Sequence, residues 1–218
     1  MTARQPPPTQ PSTTALRSGH LAHARRLAAF TVAWNVVEGV IAIAAALAAG
    51  SRALIGFGLD SAVESISATV LLWRLGVERR DPERADAVER SATRAIGVSF
   101  LALAAFVTYD AVGALATGDE PDTSVVGIVL TAVSLVVMPV LAHRKRRVAI
   151  ALGSHAARAD STQTLACAWL SAVVLAGLVL NAALGWWWAD PVAALGVVVL
   201  LVNEGREALA AEHVDDCC

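Results

Sequence analysis

Apolar residues in this chain fall in long runs separated by short polar segments, and the runs have the length of a bilayer crossing. Spans are expected at about residues 27–49, 54–76, 96–116, 124–142, 162–184 and 190–204, each close to the ~20 residues a helix needs to cross a hydrocarbon core. The sixth is the shortest, and its helix is expected to continue into the tail. The longest polar stretch, Gly76 to Arg94, alternates acids and bases at helix-compatible spacing. It should extend the second and third helices into the cytoplasm, with a break at Pro82. Pro139 either kinks the fourth helix or stands near its end. Small residues at Ala42–Ala49 and Ala193–Gly196 would let backbones approach closely. The pattern thus predicts an all-α membrane protein of six transmembrane helices. A Pro/Thr-rich tail over 1–20 is expected to be disordered. The membrane body covers 21–210, and a short tail covers 211–218.

The basic residues fix the expected orientation. With the N-terminus cytoplasmic, 16 of the 17 Lys and Arg residues lie inside and Arg52 alone lies outside. One inner loop would hold Arg144, Lys145, Arg146, Arg147 and Arg158. Both termini are then cytoplasmic, and the chain is multi-pass in the cell membrane. Trp186, Trp187 and Trp188 suit an interfacial anchor on the outer side. A composition 56% hydrophobic, with a mean hydropathy of +0.58, agrees. Basic clusters at the ends of apolar helices meet lipid headgroups, so no nucleic-acid partner is expected. Three cysteines are too few for a disulfide framework, and Cys217 and Cys218 should be reduced on a cytoplasmic tail.

Polar residues inside the spans carry the candidate chemistry. Asp60 and Glu64 are four residues apart on one helical face. A charged side chain at bilayer depth costs roughly 2.5–3.5 kcal/mol, so such a pair calls for a cation, protons or a wet cavity. Asn35 and Glu38, at i and i+3, suit either a proton carrier or a structural hydrogen bond between helices. Gln163, Cys167 and Ser171 share a face of the fifth helix. Taken alone, that face is a packing and hydrogen-bonding one. Asp190-Pro191 is an ordinary helix start. Tyr109-Asp110 suits an interfacial tyrosine beside an aspartate reaching headgroup water. At the C-terminus His213, Cys217 and Cys218 could hold a zinc-like ion. A solvated acidic tail explains them equally well.

The phrase Gly56-Phe-Gly-Leu-Asp60-Ser-Ala-Val-Glu64, the fifth-helix entry Arg158-Ala-Asp160 and the sixth-helix entry Trp188-Ala-Asp-Pro191 together resemble the cation diffusion facilitators. These are proton-coupled exporters of divalent metals, and the resemblance covers roughly residues 27–207. It implies a metal site between the second and fifth helices, with Asp60 and Glu64 at the second-helix ligand positions. Gln163 and Cys167 stand where the family usually has His and Asp. Asn35, Glu38 and Asp160 are implied as supporting or proton-relay groups, with Arg158 and Asp160 lining a watery cytoplasmic entrance. Four ligands including two carboxylates suit Zn²⁺ better than Ca²⁺, with Fe²⁺, Co²⁺ and Mn²⁺ as alternatives. The metal is cargo exchanged for protons, no resident cofactor is expected, and the protein is not an enzyme. The cytoplasmic domain that relatives commonly carry after the sixth helix is expected to be missing, so any dimerisation or metal sensing would come from the membrane helices, as a homodimer, or from the short His/Cys tail. One rival is a membrane protein that binds metal, or supports a partner, without transporting. A more remote rival is an intramembrane aspartyl protease using Asp60 and Asp110. Against the protease, the helix order is reversed and its Pro-Ala-Leu signature is absent.

Overall fold

Serine and glycine punctuate the helices. Ser51, Ser124 and Ser154 each sit one residue ahead of a helix in extended backbone, and each hydroxyl accepts a hydrogen bond from an orphan amide of the first turn. Gly118, Gly153 and Gly185 end helices at φ of 63°, 66° and 67°, a left-handed conformation that glycine adopts without penalty. Asp81, just ahead of Pro82, is non-helical at φ −148° and ψ 84°. The result, in a computed structural model that describes residues 13–49, 51–81, 84–118 and 124–214, is six helices: α1 (Thr13–Ala49), α2 (Arg52–Arg80), α3 (Ala85–Thr117), α4 (Val125–Leu152), α5 (His155–Leu184) and α6 (Ala189–Val214). Among the described residues there is no strand.

The surface is inverted relative to a water-soluble protein. Val40, Leu47, Val129 and Val136 stand outward, while Ser61, Ser67, Thr131 and Ser134 are buried. Branched apolar side chains facing outward and small polar ones facing inward suit a lipid surround, where helices associate through close packing and interhelical hydrogen bonds. Among the described residues, five helices are long and apolar enough to cross a membrane. The exception is α6, whose apolar run is cut short by Glu204, Arg206 and Glu207.

The main packed pairs are α1 with α2, α4 with α5, and α3 with α6. The centre is α5, which touches α2, α3, α4 and α6. The α3–α6 crossing depends on Gly97 and Gly205. A Cβ on Gly97 would lie 3.2 Å from the Gly205 carbonyl, and one on Gly205 would lie 2.9 Å from Leu101 Cδ2. Of the small-residue stretches expected to bring helices together, Ala42 and Ala46 are buried against neighbours. Gly196 instead faces open space, and α6 makes its close approach at Gly205, where α3 offers a matching glycine.

Two expected boundaries move. First, α1 begins at Thr13, inside the stretch expected to be disordered. Its first turns are held because Arg17 donates from Nε and Nη2 to Glu78 Oε1 at 2.9 and 2.6 Å. Second, the inner loop expected to hold Arg144 to Arg147, ahead of a fifth helix beginning at Arg158, shrinks to two residues. Helix α4 runs on to Leu152 and α5 starts at His155, with only Gly153-Ser154 between them. Pro139 therefore stands in the interior of α4.

The same end of the bundle carries a buried ionic network. Arg74 on α2 donates to Glu78 on α2 and Glu89 on α3. Glu89 Oε1 in turn accepts from Ser154 Oγ and the Ala156 amide, both at 2.8 Å, at the start of α5. Removing one partner of a buried ion pair costs about 3–5 kcal/mol, because the other charge is stranded. Arg74→Met takes the guanidinium from Glu89, whose charge then has only the Ser154 hydroxyl and the Ala156 amide, and leaves Glu78 with Arg17 alone. It should lower the thermal midpoint in detergent by roughly 6 °C or more, read as loss of the monodisperse size-exclusion peak on heating.

Candidate transport site

Along α2, the buried positions Phe57, Asp60, Ser61, Glu64, Ser67, Ala68 and Leu71 recur at three- and four-residue steps, forming one stripe. It packs against α1 and α5. On α5, the residues Asp160, Thr164, Cys167 and Ser171 follow the same rule. Asp60 lies eight residues, about 12 Å, along α2 from Arg52, well inside the apolar length of the helix. Asp60, Glu64, Asp160, Gln163 and Cys167 are all fully buried, and Glu38 is 1% exposed.

Glu38 is satisfied. Its Oε2 accepts from Ser61 Oγ at 3.0 Å and its Oε1 from Ser134 Oγ, tying α1 to α2 and α4. Asn35, one turn earlier, has neither amide atom hydrogen-bonded. Asp60 is the contrasting case. It is close enough to Cys167, Glu64 and Glu38 to interact with each of them. Yet apart from the Cys167 thiol beside it, no donor reaches either Asp60 oxygen, and no cation pairs with it among the described residues.

Glu64 is half engaged. Its Oε1 accepts from Thr164 Oγ1 and lies 3.9 Å from Lys145 Nζ, while Oε2 has no partner. Lys145, on α4, is 3% exposed at its side chain and sits 2.9 Å from Asp160 Oδ2. It also donates to Thr164 Oγ1 at 2.8 Å. The Thr164 hydroxyl thus takes a hydrogen bond from the ammonium and gives its own proton to Glu64. Asp160 is therefore a buried ion-pair partner facing Lys145.

Gln163 points elsewhere. Its Oε1 accepts from Ser99 Oγ on α3 at 3.2 Å, and its Nε2 is unpaired. Cys217 and Cys218 lie outside the described residues, as does the side chain of His213. Among the described residues no three His, Cys, Asp or Glu side chains converge into a ready-made coordination cluster. What the bundle holds is a layer of four buried carboxylates, a thiol and one ammonium. Buried polar atoms are nearly always paired, so the unpaired oxygens of Asp60 and Glu64 mark places where a cation or protons would be held.

Sequence pattern alone passed over Lys145 and Thr164. A signal for Lys145 was present. Met138, Leu141, Ala142, Val148, Ala149 and Leu152 form a buried helical stripe, and Lys145 falls on it while Arg144, Arg146 and Arg147 fall off it. The surrounding basic run hid this position. Thr164 looked like any membrane threonine, and only the ammonium on the facing helix distinguishes it.

Residues 28–211 match the cation efflux transmembrane domain. The chain belongs to the cation efflux family. It is also 29% identical over 153 residues to an uncharacterized transporter of a Synechocystis strain, an alignment that takes in 68% of this chain and 49% of that protein. The chain thus spans about half the length of that relative. Cation efflux proteins are transporters of metal cations and not enzymes, which removes the protease reading. The Asp110 carboxylate lies beside Gly56, 3.7 Å from where a Cβ on that glycine would stand, and Tyr109 beside it is 79% exposed.

The Thr164 bridge can be tested apart from transport. Thr164→Val keeps the shape but leaves Lys145 and Glu64 each short of a partner, at a cost of about 1–3 kcal/mol. A lower thermal midpoint than wild type, with an unchanged elution volume, is the expected result.

Proposed function

We propose that this protein is a secondary transporter that moves a divalent metal cation of the Zn²⁺ type out of the cytoplasm in exchange for protons. Membership of the cation efflux family supports the transport of a metal cation. The observation that carries the finer reading is the charge imbalance of the buried layer: Glu38, Asp60, Glu64 and Asp160 against Lys145. An interior with more carboxylates than cations is stable only when the excess negative charge is neutralised, and a divalent ion and protons are interchangeable ways of doing so.

In this reading Asp60, Glu64 and Cys167 are the primary ligands. The two carboxylates offer unpaired oxygens, and the thiol lies against Asp60. Gln163 would join only by turning its carbonyl away from Ser99. The donor set, hard oxygens with one sulfur, favours Zn²⁺ over Ca²⁺ and leaves Fe²⁺, Co²⁺ and Mn²⁺ as competitors. Binding by Cys167 requires loss of its thiol proton, which adds to the proton coupling. Metal enters from the cytoplasmic side, where both termini lie. Rocking of the helix pairs then exposes the layer to the opposite side, where protons reload the carboxylates. Asn35 and Glu38 support the acid pair from α1.

The direct test is metal-loaded proteoliposomes under an imposed pH gradient. Wild type should show metal-dependent proton movement, and Asp60→Ala/Glu64→Ala should reduce it to the empty-liposome level. Binding without flux in the wild type would favour the non-transporting alternative instead. A second measurement addresses selectivity. Replacing the soft sulfur by a hard oxygen in Cys167→Asp should shift preference from Zn²⁺ toward Mn²⁺ across a metal panel, and an unchanged order would take Cys167 out of the ligand set.

A further inference from the structure

Within the basic run of Arg144 to Arg147, Lys145 is the residue that turns inward. Its ammonium reaches two of the four buried carboxylates from α4, at 2.9 Å from Asp160 and 3.9 Å from Glu64, and it is steadied by Thr164 between them. Asp60, one turn from Glu64, receives no such partner. A crevice of about 10 Å³, room for about one water, reaches Lys145 and Asp160 between Ala24, Leu27, Leu71 and Ala157. The ammonium thus borders the crevice and lies between Glu64 on α2 and Asp160 on α5.

We propose that Lys145 is the resident cation of the transport site. Its ammonium holds Glu64 and Asp160 between transport events and gives up Glu64 when a divalent ion arrives. This rests on the transport reading above and adds to it a cation that belongs to the protein. Two positive charges cannot share Glu64 in a low-dielectric interior without repelling each other. Arrival of the metal and withdrawal of the ammonium are thus two sides of one exchange. The flexible four-carbon stem of lysine lets the ammonium swing away from Glu64 while it stays on Asp160. A tethered cation cannot be carried across the membrane. It instead covers Glu64 and Asp160 on the return journey, while protons reload Asp60 and Cys167.

Two transport modes separate this role from that of an ordinary ligand or a fold-stabilising pair. Net flux needs the unloaded carrier to return, whereas exchange of labelled for unlabelled Zn²⁺ at equal concentrations needs only the loaded form. In proteoliposomes, Lys145→Met should lower net Zn²⁺ flux about tenfold or more while leaving Zn²⁺/Zn²⁺ exchange near the wild-type rate. Zn²⁺ should also bind the purified variant about fivefold tighter or more, because the competitor is gone. Lys145→Arg, which keeps the charge, should retain net flux. Lys145→Met/Asp160→Asn removes the closer pair without stranding the Asp160 charge, and it reports the same two modes if the single variant does not fold. Wild-type net flux with unchanged Zn²⁺ affinity in a folded Lys145 variant would overturn the proposal. So would equal loss of net flux and exchange in a folded variant. Absence of Zn²⁺ movement in both modes for the wild-type protein would instead overturn the transport reading itself.

Discussion

A charge cannot be hidden from water without a partner, and this bundle hides four carboxylates and an ammonium in one layer. Most of the polar side chains around that layer make sense as responses to it. Ser61 and Ser134 complete Glu38, and Thr164 mediates between Lys145 and Glu64. The central place of α5 follows as well, since it presents Asp160 and Thr164 to α4 while offering Cys167 to α2. The apolar residues have the easier task. They face outward, where lipid asks only that backbone hydrogen bonds be closed within each helix.

The two ionic regions of the molecule differ in how completely they are paired. At the Arg74 end, Arg17, Arg74, Glu78 and Glu89 form a chain with donors to spare, closed by the Ser154 hydroxyl and the Ala156 amide. That chain ties together α1, α2, α3 and the start of α5. In the Asp60 layer the acceptors outnumber the donors, and oxygens of Asp60 and Glu64 are left over. A saturated network favours one arrangement of the helices. An undersaturated one has room for an added cation. The contrast separates a structural anchor from a working site using the same residue types.

Much of this was legible in the sequence, and the reasons differ by feature. Six helices followed from run length, and five of them carry the apolar length a span requires. Asp60 and Glu64 stood out because acids amid Leu, Ile and Phe have no bland explanation. Helix ends were harder to read. Polar helix beyond the apolar core has the same composition as a loop, and the α4 extension through Arg147 is such a segment. The Gly153-Ser154 pair is a glycine C-cap followed directly by a serine N-cap, and it was the available cue to a tight connection. Partners across helices were hidden for a different reason. That Gln163 turns to Ser99, or that Asp160 meets Lys145, depends on how α5 is rotated between its neighbours. Spacing within one helix does not encode that rotation.

The two-residue link at Gly153-Ser154 also limits how the bundle can deform. Helices α4 and α5 are joined so tightly at that end that they form a single hairpin. Lys145 and Asp160 lie on opposite arms of it, each within about a dozen Å of the bend. Points so near a stiff pivot hardly separate, whatever the far ends do. Glu64 belongs to α2, outside the hairpin, and enjoys no such protection. Relative sliding of the hairpin and α2 therefore shears the longer leg of the triad first, leaving the ammonium with its companion on the neighbouring arm.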